Sequence, residues 1–230
     1  MPLTDWIKPM PSLKKTFIFI AVGFYCTAVF CQVEHLDYYN NYIYEHPNFD
    51  RITSGHVKIA VLPIKASIAH YPFEVKSISY EEHKNLEVDA GVEIQKKIYS
   101  HLSEREEKGK LPVSVQDPTI TDSILKSANA IFEDINEYYP EVLAGLLEVD
   151  AIICGTYRAC RSNTADKSII NGKVRYEASL KLRLYNAEDG VLLAGINKYH
   201  NSIWSLLTSI DVLIEKRLIR KAAKKIPYGR

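Results

Sequence analysis

The sequence VRYEASLKLRLYNAEDGVLLAGINKY, residues 174–199, decides the fold class of this chain. From Tyr176 to Leu184 every second residue is apolar, and the residues between them are polar or charged. A side-chain period of two is typical of an antiparallel strand with one buried face. The turn-forming residues 186–190, which end in Gly190, predict that residues 191–199 return as the second strand of a hairpin.

Upstream of this hairpin, short apolar runs alternate with helical patterns. The run VKIAVLPI at 57–64 is rich in branched residues and predicts a strand that is buried on both faces. Further strands are predicted at 113–115 and 150–157, and a surface loop at 65–87. The predicted helices cover residues 89–108, a segment capped by Thr121 or Asp122, residues 141–147, and a segment that begins at Ser202 and ends before Pro227.

This order of elements predicts an α/β fold with a single mixed sheet. Strands that are separated by helices should be parallel and joined by right-handed crossovers. The last three strands should form an antiparallel meander, and the helices should pack on the sheet.

The first 31 residues differ in composition from the rest of the chain. Lys8, Lys14 and Lys15 precede an uncharged apolar stretch at 16–30, which is the pattern of a secretory signal. The uncharged run continues to residue 33, so a retained membrane anchor stays open, and a buried helix is the third alternative. Cys31 is a candidate lipidation site, although the bulky Phe30 precedes it where a lipidation signal has a small residue.

A signal and an anchor both place the rest of the chain outside the cytoplasm, in the periplasm or at the periplasmic face of the outer membrane. The predicted organisation is a signal peptide or anchor at 1–31, a polar tyrosine-rich tether or packed arm at 32–56, an α/β domain at 57–226 and a tail at 227–230. Membrane association would run through residues 16–33.

Charge argues against nucleic acid as a partner. The chain carries a formal net charge of +1, and removing residues 1–31 takes away three lysines and one aspartate, which leaves −1. Broad nucleic-acid binding needs a basic face. We therefore expect no nucleic-acid partner.

The motifs of common enzymes and metal sites are not found in the sequence. There is no G-x-S-x-G elbow, no phosphate-binding loop and no G-x-G-x-x-G, and the seven histidines have no metal-binding spacing. We expect no catalytic residue, no cofactor and no metal. The cluster at 81–83, Glu-Glu-His, is interpreted as a solvated turn in the loop at 65–87.

Two cysteines and one aspartate receive structural interpretations. Cys154 and Cys160 lie six residues apart on one predicted strand, about 20 Å at full extension, so we expect two separate buried thiols rather than a disulfide. Asp150 precedes that strand, and we expect its carboxylate to accept hydrogen bonds from backbone amides.

Four segments together resemble a known superfamily. They are KIAVLPI at 58–64, VDAGVEIQKKIYSHL at 88–102, LAGLLEVDAIICGTY at 143–157 and ASLKLRLYNAEDGVLLA at 178–194. In order and in pattern they resemble the periplasmic α/β domain of the TolB N-terminal domain, CsgG and the LpoB-type lipoproteins, over residues 57–226. The resemblance implies binding to other envelope proteins or assembly with them, and no shared catalytic residues.

The candidate partner surface combines aromatic and basic residues. Its members are Tyr71, Phe73 and Trp204, in or beside predicted loops, and Arg217, Arg220 and Lys221 on the last helix. The aromatic residues could instead cover the core, and cations near a helix C-terminus also complement the helix dipole. An acidic protein or anionic lipid headgroups would fit the basic face.

These observations predict a non-catalytic, protein-binding module of the cell envelope, accessory to the assembly or regulation of a periplasmic or outer-membrane complex. The alternatives are a self-assembling structural subunit of an envelope secretion machine, which makes an oligomer an open outcome, and an uncharacterised hydrolase. The partner's identity does not follow from the sequence.

Overall fold

The structure is a computed structural model that describes residues 41–69, 79–130, 132–162, 173–205 and 210–229. In these ranges the strands are β1 (Tyr42–Glu45), β2 (Lys58–Val61), β3 (Lys65–Ala69), β4 (Ser114–Val115), β5 (Ala151–Ser162), β6 (Lys173–Asn186) and β7 (Leu192–Ser205). The helices are α1 (Phe49–Thr53), α2 (Tyr80–Glu107), α3 (Pro118–Ser127), α4 (Pro140–Leu147) and α5 (Ile210–Ala223), with a 3₁₀ helix at Phe132–Glu137. The predicted signal or anchor segment lies outside the described residues.

The sheet is mixed, and its seven strands follow the order β1-β7-β6-β5-β2-β4, with β3 paired to β5. β2 is parallel to β4 and to β5, from which helices separate it in the chain. β5, β6 and β7 form the antiparallel meander, and β1 is an antiparallel edge strand beside β7. The predicted α/β class with a single mixed sheet is confirmed.

The sheet has a core on each side. On the first face, α2 and α5 pack over the strands, and the core there includes Ile98, Leu182 and Ile219. On the second face, α3, α4 and the 3₁₀ helix pack mainly over β2, β3 and β5, with a core that includes Leu125 and Ile152. We keep the names first face and second face below.

The surface loop predicted at 65–87 is wrong at both ends. Pro63 has no N–H to donate, and the register of pairing with β5 moves by one residue between Val61 and Lys65, so the strand is interrupted and resumes as β3. At the other end, Ser79 and Glu82 form a capping box that starts α2 nine residues before the predicted Asp89.

The cluster at 81–83 is therefore part of a helix and not a solvated turn. It forms the first turn of α2, and it closes the outer edge of β3. The Nε2 atom of His83 lies 3.0 Å from the carbonyl oxygen of Ile68, and the carboxylate of Glu87 accepts a hydrogen bond of 2.8 Å from the N–H of Ile68. Side chains of α2 thus take the place of a neighbouring strand at this edge.

Two further helix boundaries differ from the prediction. α3 begins at Pro118, because the Asp117 carboxylate accepts a hydrogen bond of 2.7 Å from the N–H of Thr119, so neither Thr121 nor Asp122 is the cap. β7 continues to Ser205 and α5 begins only at Ile210. Ser202 is therefore a strand residue, because the long β6 offers a pairing partner as far as Lys173.

Asp150 joins the starts of two parallel strands, as predicted for a carboxylate that accepts from backbone amides. Its Oδ2 atom accepts hydrogen bonds of 2.7 Å and 2.8 Å from the N–H groups of Val57 and Lys58. Burial raises the pKa of this carboxyl, but the two hydrogen bonds and the nearby His56 and Lys58 lower it by more, so that the pKa lies below its ordinary value.

The segment after α5 is held in place by Arg105. The guanidinium donates hydrogen bonds to the carbonyl oxygens of Ala223 and Ile226, at 3.1 and 3.2 Å, and to that of Tyr228 at 2.6 Å. The ring of Tyr228 is 2% exposed and meets Phe49 edge to face, with 5.3 Å between ring centroids. Residues from the two ends of the described chain therefore close the first-face core together.

The two cysteines of β5 are separate free thiols, as predicted, but only one of them is buried. Both point to the second face, because they lie an even number of residues apart on the strand. Cys154 belongs to the second-face core. Cys160 is exposed, so the prediction that both are buried is wrong for it, because it lies further along the strand, beyond that core.

Candidate interaction surfaces

The described helices that pack on the second face lie toward one end of the sheet. They are α3, α4 and the 3₁₀ helix, which contact β2, β3, β5 and the adjoining part of β6. Within the described ranges, no helix makes an extensive contact with the second face of β7 or β1. Among the described residues, strand side chains therefore lie outermost at this end of the sheet.

Three tyrosines and two cations are gathered on this uncovered part. They are Tyr42 and Tyr44 on β1, Tyr199 on β7, and Lys181 and Arg183 on β6, and we call them the tyrosine surface. Residues directly opposite each other on antiparallel strands share a face. Tyr44 lies opposite Gly195, and Gly195 lies opposite Arg183.

The tyrosine surface has a flat centre at Gly195. A methyl group at this position would lie 3.6 Å from the Cβ of Tyr44 and 3.7 Å from a ring carbon of Tyr42, so both side chains lie beside the bare backbone. Tyr44 is 39% exposed, whereas Asn197, between the strands, is 1% exposed. The exposed ring of Tyr44 and the half-buried side chains of the other four residues thus surround a buried base.

A second surface lies on the first face, where α5 crosses β7. Lys198 and His200 are two residues apart on β7 and therefore point to the same side of the sheet. That side is the first face, because Lys198 lies opposite Leu180, a residue of the first-face core. On α5, Arg217 and Lys221 are four residues apart, share one side of the helix and are exposed. We call these four cationic or titratable residues the basic surface.

Positive charges act on one another across the basic surface. Burial lowers the pKa of Lys198, and the charges of Lys225 and Lys221 lower it further. Burial also lowers the pKa of His200, with Lys221 and Arg217 adding to the effect. The Nε2 atom of His200 is buried and has no hydrogen-bond partner in the described part of the chain. The groove between β7 and α5 therefore has an excess of positive charge, which a bound anion would balance.

The adjacent side of α5 lies near His101 of α2 and is partly neutralised. Burial is the main cause that lowers the pKa of His101 there; Glu104 acts against it, and Arg220 and Lys224 add to it. The Glu104 carboxylate also accepts a hydrogen bond from Lys108. Arg220 therefore belongs to a mixed-charge region and not to the basic surface.

Asn41 lies directly beside the basic surface. The side-chain oxygen of Asn41 accepts a hydrogen bond of 3.0 Å from the backbone N–H of Tyr199, which stands between Lys198 and His200 in β7. Tyr42 then starts β1 opposite Asn197.

The structure brings together only part of the predicted partner surface. Arg217 and Lys221 lie near His200 of β7, whereas Arg220 lies near His101 of α2. Trp204 lies in β7, where its backbone pairs with Val174. Tyr71 and Phe73, with Cys31, lie outside the described residues.

The sequence did not reveal which elements lie next to the residues of the basic surface and the tyrosine surface. Lys198 and His200 stand two residues apart in a predicted strand, which places them on one face, but nothing in the sequence places α5 over that face. Tyr42 and Tyr44 have the same two-residue spacing within the segment interpreted as a tether or arm. Alternation over so few residues is a weak signal for a strand.

The described residues contain no metal-binding cluster, and the cavity beside β3 is small. They contain no group of three or more histidine, cysteine, aspartate or glutamate side chains that could hold a metal ion. A cavity of about 160 Å³ lies between β3 and the start of α2, with Tyr80, Lys84 and Phe132 in its lining. Ligand pockets are commonly about 300–1,000 Å³, so this volume does not favour a small-molecule site.

The described helices include none that is both long enough and apolar enough to span a membrane.

No family model matches the chain, and no curated protein matches it. Among solved structures, it is similar to the lipoprotein GNA1162 from Neisseria meningitidis, with 16% sequence identity and a TM-score of 0.46 over 74% of this chain and 97% of that chain. It is also similar to the PelC dodecamer from Paraburkholderia phytofirmans, with 12% identity and a TM-score of 0.44 over 83% and 99% of the two chains.

The C-terminal domain of LpoB from Salmonella enterica matches with 8% identity and a TM-score of 0.28, over 69% of this chain and 93% of that domain. LpoB is one of the proteins that the sequence segments resemble. TM-scores below 0.5 describe weak likenesses, and they carry no functional conclusion.

Proposed function

We propose that this chain is an exported, non-catalytic binding module of the bacterial cell envelope, and that its tyrosine surface recognises a protein partner. The partner complex would lie in the periplasm or at the periplasmic face of the outer membrane. Kinship with the TolB, CsgG and LpoB domains is part of the proposal, and it is supported by the four sequence segments quoted above.

The observation that carries the proposal is the unequal covering of the sheet. α2 and α5 pack along the first face, whereas the described helices of the second face pack around β2, β3, β5 and the adjoining part of β6. The remaining strands present Tyr42, Tyr44 and Tyr199 beside Lys181 and Arg183. Interfaces between proteins are enriched in tyrosine and arginine, and tyrosine buries much area at a low entropic cost.

The rigid base of the tyrosine surface supports the same interpretation. Binding is weakened when loops and side chains must be ordered on contact. Here the side chains stand on paired strands, and Gly195 keeps the backbone close to two of the rings. The sheet therefore presents the surface largely preformed, as is common in pre-organised complexes.

Export is supported by the sequence of the first 33 residues. Three lysines before an uncharged apolar stretch are the pattern of a signal or an anchor. A chain with this leader would fold and act outside the cytoplasm. Fractionation of cells that carry the tagged full chain tests this step, and recovery from the cytosol would contradict it.

Photo-crosslinking in living cells tests the partner surface. A photoreactive residue at position 44 should capture one dominant envelope protein. The same residue at position 80 is the matched control, because Tyr80 is an exposed tyrosine, 81% accessible, at the start of α2 and not on the tyrosine surface. The double variant Tyr42→Ala/Tyr44→Ala should lose the captured protein and keep its circular dichroism spectrum. An identical capture pattern from positions 44 and 80 would rule out the surface.

Light scattering after size-exclusion chromatography addresses the alternative of a self-assembling subunit. A monomer or a partner-bound species is expected from the proposal. A defined ring or filament of this chain alone, with capture only of itself from position 44, would instead support the alternative.

A further inference from the structure

The basic surface differs from an ordinary solvated row of cations in one respect. Helix cations normally point separately into water, or complement the negative end of the helix dipole. Here Lys198 and His200 point to the face of β7 that α5 packs against, and the charges of Arg217 and Lys221 on α5 act on them, so two elements bring cations to one groove. The mixed-charge side of α5, with Glu104, shows no such focusing.

The groove has a chemical preference that follows from its residues. Two of its members, Lys198 and His200, each lie near two other cations. Their mutual repulsion is relieved when a group with several negative oxygen atoms binds between them. Phosphate is such a group, and both Lys and Arg bind it well. An apolar or neutral partner would leave the repulsion in place.

The position of Asn41 indicates which kind of molecule carries the phosphate group. The side chain of Asn41 accepts a hydrogen bond from the backbone N–H of Tyr199, between Lys198 and His200. The uncharged apolar run at 16–33 ends eight residues earlier. Eight residues span about 27 Å at full extension. If the apolar run or a lipid on Cys31 is held in a membrane, the headgroup layer is within reach of the basic surface.

We infer that the basic surface docks on the phosphate headgroups of the membrane that holds the N-terminal segment. The inference rests on the anchored form of the proposed function. One lipid chain combined with a polybasic patch is a known pair of signals for stable membrane attachment. Docking would fix the orientation of the domain and leave the tyrosine surface, on the opposite face of the sheet, directed away from the membrane and open to a partner.

Lysine footprinting on the full chain tests this inference. The chain is reconstituted through its N-terminal segment into nanodiscs of either phosphatidylglycerol or phosphatidylcholine, and the acetylation rate of each lysine is read by mass spectrometry. Lys198 and Lys221 should label several-fold more slowly on phosphatidylglycerol than on phosphatidylcholine at low salt, and the difference should vanish at high salt. Lys126, exposed on α3 over the second face, is the internal control and should label equally on both.

A double variant separates the charge effect from simple proximity. In Arg217→Gln/Lys221→Gln, two of the cations are removed, and the contact should weaken by roughly thirty-fold at low salt, so that Lys198 labels at its phosphatidylcholine rate. Both positions are exposed, so the fold should persist, which circular dichroism checks. The matched control Lys96→Gln/Lys126→Gln removes the same formal charge elsewhere and should leave the protection of Lys198 intact.

Three results would overturn the inference. Equal labelling of Lys198 on both lipids would exclude headgroup docking. Inorganic phosphate added to phosphatidylcholine nanodiscs could protect Lys198 from acetylation as much as phosphatidylglycerol does. That result would identify free phosphate as the ligand of the groove. Capture of an acidic protein from position 221 in cells, without lipid protection, would assign it to that protein. None of these results touches the tyrosine surface, whose test uses other residues on the other face.

Discussion

Replacing Gly91 by alanine should destabilise the fold, although alanine is the better helix former. Gly91 lies inside α2 and faces the point where Pro63 interrupts the strand path. The N–H of Ile64 donates a hydrogen bond of 3.3 Å to the carbonyl oxygen of Gly91. A Cβ atom at position 91 would lie 2.0 Å from the carbonyl oxygen of Ile64, a separation that real Cβ atoms do not show.

The magnitude follows from how far α2 must retreat. Contact distances below 3.0 Å are essentially never observed, so the helix has to move by at least 1 Å from the backbone of Ile64. A gap of about 1 Å forfeits a quarter to a half of the dispersion energy at the contact. Ile94, Ile98 and Leu102, all buried, pack from the same helix. If each contributes about 2 kcal/mol, the loss is about 1.5–3 kcal/mol.

Two smaller effects complete the estimate. Stretching the hydrogen bond between Ile64 and Gly91 costs about 1 kcal/mol, and the helix propensity of alanine returns about 1 kcal/mol. The free energy of unfolding of Gly91→Ala should therefore fall by about 1.5–3 kcal/mol, within the range known for overpacked cores.

Gly145→Ala is the matched control for this experiment. Gly145 also lies in a helix, α4, but nothing stands within 4 Å of a Cβ at that position. The free energy of unfolding should rise by about 0.5–1 kcal/mol, because alanine restricts the unfolded chain. Urea unfolding followed by circular dichroism measures both variants. A Gly91→Ala midpoint equal to or above that of the unsubstituted chain would refute the close approach of α2 to the sheet.

Three further predictions concern single residues. Asp150→Asn should lower the free energy of unfolding at neutral pH by about 1 kcal/mol after solvent screening. Because the folded-state pKa of Asp150 is lowered, this difference between the variant and the unsubstituted chain should disappear as the pH falls from about 4 through that pKa. A difference in urea unfolding that stays constant across this pH range would contradict the assigned hydrogen bonds. Leu182→Asp should abolish the cooperative melting transition, because Leu182 is 1% exposed and an unpaired charge in the core costs several kcal/mol; an unchanged melting curve would show that the strand faces the other way. In thiol labelling mapped by mass spectrometry, Cys160 should react in the folded chain. Burial raises the pKa of Cys154 to about 12, so Cys154 should react only after denaturant is added. Labelling of both cysteines without denaturant would refute the second-face core.

The sheet could be predicted because its signals are local. The alternation from Tyr176 to Leu184 and the turn ending at Gly190 are contained in neighbouring residues, and they lead to β6 and β7 without further information. The start of α2 was predicted wrongly for a different reason. Its first turn is charged and has no apolar stripe, and the capping box of Ser79 and Glu82 lies in a stretch that resembles a loop.

The interaction surfaces were only partly predictable because each joins distant parts of the chain. Arg217 and Lys221 could be singled out as helix cations, but the charge of the groove depends on Lys198, and its place beside α5 is a product of tertiary packing. Tyr44 belongs to a four-residue strand whose pairing with β7 spans about 150 residues of sequence. No spacing rule connects positions so far apart, and tertiary context determines such short strands.

The three hydrogen bonds from Arg105 to the carbonyl oxygens of Ala223, Ile226 and Tyr228, which we call the Arg105 clamp, have a consequence for the timing of folding. Tyr228 packs against Phe49 in the first-face core, and β1 pairs with β7. Residues from early and late parts of the chain must therefore both be available before the domain can fold completely. While the last of these residues are still inside a ribosome or a secretion channel, the clamp has no carbonyl groups to bind. Passage through a secretion channel requires an unfolded chain. If the chain is exported as proposed, a core that is complete only with Tyr228 would keep the domain unfolded until that residue has passed the channel.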